Sequence, residues 1–122
     1  MELQLATRST GAYLVVQVSG EVDIATTDQL RVYLFDSLHE RGSRLIVDLS
    51  RVTFMDCGGA NMLLSAQREA RRLGGEVRLA GPQPGVCKLL ALTELYRALP
   101  PFPTVWAAAI AASSGIPDIP EI

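Results

Sequence analysis

The chain has 122 residues, of which 48% are hydrophobic and 20% are charged, and its net charge is −2. These values are typical of one soluble globular domain, and they exclude a global positive field that would attract DNA or RNA. The first ten residues contain neither a basic nor an apolar block, so no signal peptide is predicted. The longest apolar run, Val105 to Ala112, is far shorter than the roughly 20 residues of a membrane span. We therefore expect a cytoplasmic protein without direct membrane insertion.

The side chains that usually support catalysis are scarce. One histidine, His39, and two distant cysteines, Cys57 and Cys87, do not form a usual zinc site, and reduced thiols are expected in the cytoplasm. The sequence contains no P-loop, no GxGxxG and no GxSxG motif. We expect a protein that is not an enzyme and that needs no metal and no cofactor.

Two strands and a helix are predicted in the first third of the chain. Residues 3 to 7 alternate apolar and polar side chains, as in an edge strand, and residues 12 to 19 (AYLVVQVS) predict a more central strand. A helix begins with Thr26 or Thr27 as its N-cap and ends at Gly42. Its predicted core stripe is Leu30, Leu34 and Leu38.

The middle of the chain predicts a buried strand, a helix and a second strand. RLIVDL, residues 44 to 49, is a short strand buried on both faces. A helix follows over residues 59 to 73 and ends at Gly74-Gly75, and EVRLA, residues 76 to 80, is the next strand. The core stripe predicted for this helix consists of Gly59, Met62, Leu63, Ala66, Ala70 and Leu73.

The last third predicts further helices. Pro84 is suited to the first turn of a helix that continues through Leu92. The segment PPFPTV allows one or two strand residues, and residues 104 to 113 predict an alanine-rich helix in which Trp106 caps the core. The alternation of strands and helices predicts an α/β fold with a mixed sheet of four to five strands and about four helices packed on it.

The stretch FMDCGGANMLL, residues 54 to 64, places a polar and glycine-rich elbow, residues 56 to 59, between a strand and a helix. Together with VSGEVDIATTDQL, LIVDLSRVTFMDC, EVRLAG and PGVCKLL, it resembles the STAS domain of bacterial anti-sigma factor antagonists. The resemblance covers roughly residues 3 to 112. It implies binding to an anti-sigma factor, usually a kinase of the histidine-kinase-like ATPase type, and release of a sigma factor.

The elbow departs from the family pattern at the residue that is phosphorylated. The family has D-S-[ST]-G, so aligning Asp56 with its aspartate places Cys57 at the first serine and Gly58 at the acceptor. Glycine has no hydroxyl, so phosphorylation is not expected there, and Thr53 and Ser65 are the nearest hydroxyls. A phosphate at a helix N-terminus would otherwise be stabilised by free N–H groups and would repel a docked partner.

The resemblance implies a partner-binding surface around the elbow. Its predicted members are Asp23, Thr26, Phe35, Asp56, Cys57, Gly58, Gly59 and Asn61. The two small glycines would allow a partner's backbone to approach closely, and Asp23 would lie near Asp56. Alternatively, both aspartates are turn and cap residues that satisfy backbone donors, a role compatible with binding.

Three further features have open interpretations. Cys57 and Cys87 are either a redox pair or two buried apolar residues. Val32 and Phe35 are a partner anchor, a homodimer contact or scattered surface residues. We interpret the side chains of His39 and of the arginines at 68, 71 and 72 as exposed to solvent. We take residues 1–113 as the STAS domain and residues 114–122 as a C-terminal tail, whose isoleucines at 116, 119 and 122 recur every third residue.

The resulting hypothesis is an anti-sigma factor antagonist that acts by docking. Two alternatives remain: a STAS subunit that docks to a transporter ATPase, and a STAS domain that senses redox state or a ligand at the elbow. The sequence does not identify the anti-sigma factor.

Overall fold

The computed structural model describes residues 2–112 and contains one mixed sheet of four strands. Its strands, in spatial order, are β1 (Gln4–Thr10), β2 (Tyr13–Val22), β3 (Arg44–Met55) and β4 (Glu76–Ala80). β1 pairs with β2 in antiparallel orientation, whereas β2, β3 and β4 run parallel. Five helices were found: α1 (Thr27–Glu40), α2 (Cys57–Arg72), α3 (Pro84–Ala91), α4 (Leu95–Ala98) and α5 (Val105–Ile110). The predicted α/β fold class is confirmed.

The first face of the sheet carries the main core. Side chains that alternate along the strands point to this face, where the core also includes residues of α1, α2, α3 and α4. Leu30, Leu34 and Leu38 of α1 are buried as predicted. Burying a leucine side chain contributes about 1.5–3 kcal/mol before the entropy cost, so this face supplies most of the driving force for folding.

The second face of the sheet is covered by α5. Its small core consists of Tyr13, Val15, Ile46, Ala80 and Ala108. α5 packs there because its alanines allow close approach, while Thr104 caps the helix by accepting a hydrogen bond from the amide of Ala107 at 3.0 Å. Trp106 points away and is 71% exposed, so the prediction that it caps the core is wrong.

A buried polar cluster also lies on this second face. Arg78, 2% exposed, donates to the carboxylate of Glu76 at 2.9 Å and to the main-chain oxygens of Ala108, Ala111 and Ala112 at 2.6–2.9 Å. The hydroxyl of Tyr13 donates to Glu76 at 3.0 Å, and burial, followed by this contact, raises the pKa of Tyr13. Arg78 thus links the end of α5 to β4 by hydrogen bonds.

β3 is longer than predicted. The predicted strand ended at Leu49, but β3 continues to Met55 because Arg51, Val52, Phe54 and Met55 still pair with β2. Two register shifts in that pairing interrupt the strict alternation of buried and exposed residues. The sequence after Leu49 therefore lacks the alternation that predicts a strand.

The helices also differ from the prediction. α2 begins at Cys57 rather than Gly59, α5 is shorter than the predicted helix over residues 104 to 113, and α4 was not predicted. Leu73, placed in the predicted core stripe, lies just beyond α2 and is 36% exposed. The predicted strand contribution of PPFPTV is one isolated bridge between Ala80 and Phe102.

Gly74 and Gly75 end α2 as predicted, for two different reasons. Gly74 has φ of +89°, a conformation that side chains rarely allow. Gly75 has an ordinary φ, but a Cβ there would lie 2.1 Å from the main-chain oxygen of Ser43. The pair therefore allows both the reversal of the chain and its close contact with the start of β3.

Candidate functional site

Two strand ends meet where the sequence predicted the site. Val22, the last residue of β2, pairs in parallel register with Met55, the last residue of β3. The amide of Asp56 donates to the main-chain oxygen of Val22 at 3.1 Å. Asp23 and Asp56 each follow one of the paired residues, so the turn after β2 and the elbow lie side by side at one end of the sheet.

The turn after β2 is held by hydrogen bonds from its own side chains. Asp23 accepts from the amide of Ala25 at 2.9 Å, and Thr27 donates to the main-chain oxygen of Asp23 at 2.6 Å. Thr26 accepts from the amide of Asp23 at 3.0 Å and donates to the main-chain oxygen of Glu21 at 2.6 Å. Asp23 therefore has the turn role that the sequence allowed.

Thr26 does not have the role predicted for it. It occupies the N-cap position of α1, but its side chain makes no capping hydrogen bond because its hydroxyl is used in the preceding turn. It is 4% exposed and offers almost no surface to a partner. We therefore correct its assignment from partner-binding residue to a residue that positions the turn.

Asp56 is the N-cap of α2. It has extended backbone angles, φ −99° and ψ 179°, and its carboxylate accepts from the amide of Gly59 at 2.9 Å. A carboxylate here also interacts favourably with the dipole of the helix. Asp56 thus positions the start of α2 while remaining partly exposed at the elbow.

The two glycines of the elbow have different surroundings. A Cβ on Gly59 would lie 2.7 Å from Cγ1 of Val22 and 2.9 Å from Cγ of Met55, and Gly59 is buried. A Cβ on Gly58 would contact only the carboxylate of Asp56, at 3.3 Å, and Gly58 is exposed. The prediction that a partner approaches Gly59 is wrong because the chain's own residues fill that space, whereas Gly58 is open.

An exposed isoleucine that the sequence analysis did not select lies beside Gly58. Ile24 is 94% exposed, although it follows directly after Asp23 in the turn. A shallow depression there is lined by Ile24, Thr27, Asp28, Asp56 and Gly58, which we call the elbow surface. A single apolar residue in a turn has no periodicity, so no sequence signal distinguished it from the core residues.

The cysteines and Asn61 are placed as follows. Cys57 is exposed at the first position of α2, Cys87 is half-buried in α3, and both are free thiols. The interpretation of both as buried apolar residues is therefore wrong for Cys57. Asn61 is exposed one turn further along α2, on the same element as the elbow. Among residues 2–112, no group of three or more His, Cys, Asp or Glu side chains could hold a metal ion.

Phe35 lies against the core rather than on a free surface. It is half-buried, packs against the main core, and its ring centroid is 6.4 Å from that of His39. Val32, with which Phe35 was predicted to form an exposed apolar pair, is 52% exposed. Phe35 is therefore not the exposed anchor that its helical spacing suggested, because α1 turns more of its surface toward the core than the leucine stripe indicates.

Glu69 of α2 connects α1 and α2 electrostatically. It accepts from Arg72 at 2.6–2.9 Å and contacts Nε2 of His39, which lies on an exposed face as expected. The hydrogen bonds from Arg72 and then from His39 lower the pKa of Glu69 to about 2. This cluster lies beyond the elbow along α2 and holds the two helices together.

The chain belongs to the STAS domain family, whose model matches residues 4–108. It is 28% identical over 101 residues to an anti-sigma F factor antagonist of Paenibacillus polymyxa, covering 82% of this chain and 86% of the relative. A second anti-sigma F factor antagonist, from Lysinibacillus sphaericus, is 26% identical and is covered over 79% of its length, with 77% of this chain aligned.

Solved structures show the same fold. An anti-sigma factor antagonist from Mycobacterium paratuberculosis superposes with a TM-score of 0.79 at 24% identity, over 88% of this chain and 91% of that one. In the part of the chain that the structure describes, no helix is long and apolar enough to cross a membrane.

Proposed function

We propose that this protein is an anti-sigma factor antagonist that binds an anti-sigma factor through the elbow surface. The single observation that carries this location is Ile24, an apolar side chain 94% exposed beside the open backbone of Gly58. The names of both curated relatives support the class of partner and favour it over a transporter ATPase. The proposal describes a cytoplasmic binding protein rather than an enzyme, with residues 1–113 as the binding domain.

The elbow surface has the composition of a small docking site. Ile24 can enter an apolar pocket of a partner, and truncating an anchor that is a binding hot spot costs about 2 kcal/mol or more. Asp23 and Asp56 carry negative charge beside it, while Asp28 is paired with Arg31. A partner with a pocket rimmed by basic residues would therefore associate faster and in a defined orientation.

We further propose that the partner is an ATPase of the kinase type that cannot phosphorylate this elbow. Gly58, the residue aligned with the acceptor, has no hydroxyl. The hydroxyls of Thr53 and Ser65 are directed to main-chain oxygens, those of Gly20 at 3.5 Å and Asn61 at 3.2 Å. Docking would then be controlled by abundance, by oxidation of Cys57 or Cys87, or by a different partner.

The test compares two aspartate substitutions at exposed apolar residues. Ile24→Asp should weaken binding of a purified anti-sigma factor at least tenfold, the equivalent of about 1.4 kcal/mol, measured by isothermal titration calorimetry. Leu92→Asp is the matched control because Leu92 is 78% exposed and lies outside the elbow surface. Equal affinities for wild type and Ile24→Asp would show that the partner binds elsewhere, whereas no binding to the wild-type chain would contradict the proposed function itself.

A further inference from the structure

A second surface of this chain lies between α2 and α4, away from the elbow. It is a groove with a volume of about 380 Å³, lined by Leu64, Gln67, Arg68, Arg71, Glu94 and Ala98. Its first residue on α2 is seven residues beyond Cys57, or about 10 Å along the helix axis. The docking described above therefore leaves this groove unoccupied.

The groove combines apolar surface with uncompensated positive charge. Leu64 is partly exposed and Ala98 exposed along it. Within residues 2–112, Arg68 and Arg71 form no ion pair, whereas their neighbour Arg72 is paired with Glu69. Glu94 is the one acid in the lining and forms no ion pair with the described residues either, so two arginines face one carboxylate. An acidic segment with apolar side chains is the complementary occupant.

The chain contains such a segment at residues 113–122, which lie outside the described residues. Its sequence, SSGIPDIPEI, contains Asp118 and Glu121, no basic residue, and three isoleucines. We propose that this C-terminal segment binds in the groove between α2 and α4 of its own chain. Ile119 and Ile122 would contact Leu64 and Ala98, and the two carboxylates would pair with Arg68 and Arg71.

Contacts on β4 show that the segment starts close enough to the groove. The main-chain oxygen of Ala112, the residue before the segment, accepts from Arg78 at 2.7 Å. The amide of Val77, the preceding residue of β4, donates to the side chain of Gln67 in the groove at 2.7 Å. Arg78 and Val77 are neighbours on β4. Arg78 contacts the residue before the segment on the second face of the sheet, and Val77 contacts the groove on the first face.

The route between the two faces passes the outer edge of β4. Among residues 2–112, β4 is the last strand of the sheet, and the main chain of Phe102 forms hydrogen bonds with Leu79 and Gly81 at its far end. The edge beside Arg78 and Val77 has no neighbouring strand in the described part of the chain. Packed layers lie about 10 Å apart, so the route is on the order of 20 Å, and ten residues can span about 33 Å.

Attachment to the same chain favours this occupant over a second copy. A segment joined by a short tether has an effective concentration in the millimolar range, so even a weak contact forms within one chain before it forms between chains. Because the charged pairs are exposed to solvent, salt should weaken the contact. The way the contact depends on protein concentration and on salt therefore distinguishes binding within one chain from binding of a second copy.

The experiment uses the full chain and follows the methyl groups of Leu64 and Ala98 and the Nε–H groups of Arg68 and Arg71 by NMR. We expect Asp118→Asn/Glu121→Gln to shift these signals at low salt, with no dependence on protein concentration. High salt should move the wild-type signals toward the positions seen in the variant. The matched control, Asp36→Asn/Glu40→Gln, removes two exposed carboxylates from α1 and should leave the groove signals unchanged.

Three results would overturn the proposal. Groove signals identical in wild type and Asp118→Asn/Glu121→Gln would show that the segment does not bind there. Shifts that grow with protein concentration would show that the groove binds the segment of a second copy. Reversing both sets of charges, with Arg68→Glu/Arg71→Glu and Asp118→Lys/Glu121→Lys, should restore the salt-sensitive contact, and failure to do so would also count against it.

Discussion

The elbow and the adjoining turn, with Asp56 and Asp23, and the second face beneath α5, with Glu76 and Arg78, both contain charged side chains, but the first two are partly exposed and the last two are buried. Asp23 and Asp56 accept hydrogen bonds from amides two or three residues away, so their carboxylates organise short turns and stay partly exposed. Arg78 is instead buried and bonds main-chain oxygens 30 to 34 residues away. The comparison indicates that charge organises local turns at the elbow and long-range tertiary contacts beneath α5, and the partly exposed carboxylates of the elbow are available for the recognition that we propose.

The largest effect expected from this comparison is at Arg78. Arg78→Met should lower the free energy of unfolding by about 3 kcal/mol, because it leaves the carboxylate of Glu76 with less compensation and removes three hydrogen bonds to the end of α5. Urea unfolding followed by circular dichroism measures this. Arg31→Met, which breaks an exposed ion pair with Asp28, should cost less than about 1 kcal/mol. Equal losses would contradict the distinction between the two regions.

The adjacent glycines of the elbow give the next largest effect. Gly59→Ala should destabilise the fold by about 1–3 kcal/mol, because its Cβ would lie within 3 Å of Val22 and Met55. Gly58→Ala should change stability by no more than about 0.5 kcal/mol, since its Cβ meets only the movable carboxylate of Asp56. Thermal unfolding of both variants tests this, and a larger loss at Gly58 would mean that the elbow is packed differently.

Removing the N-cap of α2 should have a smaller effect. Asp56→Ala should cost about 1 kcal/mol, because the amide of Gly59 loses its acceptor. Asp56→Asn should recover most of the loss, since its side-chain oxygen can accept the same hydrogen bond. Chemical denaturation of the three proteins gives the comparison. If the asparagine variant were as unstable as the alanine variant, charge rather than capping would be the main contribution of Asp56.

The pH dependence of the contact between α1 and α2 should be smallest. The pKa of Glu69 is lowered from 4.5 to about 2, first by Arg72 and then by His39. Its contribution is therefore fully present above pH 4.5 and is lost as pH falls toward 2. Glu69→Gln should flatten the stability profile in this interval. A wild-type profile unaffected by that substitution would show that the cluster does not contribute to stability.

Much of the first face could be predicted from the sequence because its signals are local and periodic. Leucines at every fourth position of α1 identify a core stripe, and Gly74-Gly75 marks the end of α2. The meeting of Asp23 and Asp56 was inferred from the family resemblance, and the pairing of Val22 with Met55 explains it.

The remaining features depend on contacts between distant residues. EVRLA predicted a strand, but nothing in it indicated that Arg78 binds the end of α5, some thirty residues away. Ile24 was missed because exposure in a turn has no sequence signature. Gly59 was misassigned because a glycine that fits its own core and a glycine that admits a partner look the same in sequence.

One measurement tests the central claim most directly: the affinity of a kinase-type anti-sigma factor for this chain before and after incubation of the two proteins with ATP. Wild type should bind equally well in both cases, because Gly58 offers no hydroxyl. Gly58→Ser, which places a hydroxyl at this open position, should lose affinity after incubation. Weakened binding of the wild-type protein, with phosphate on residues 53 to 65, would contradict our account.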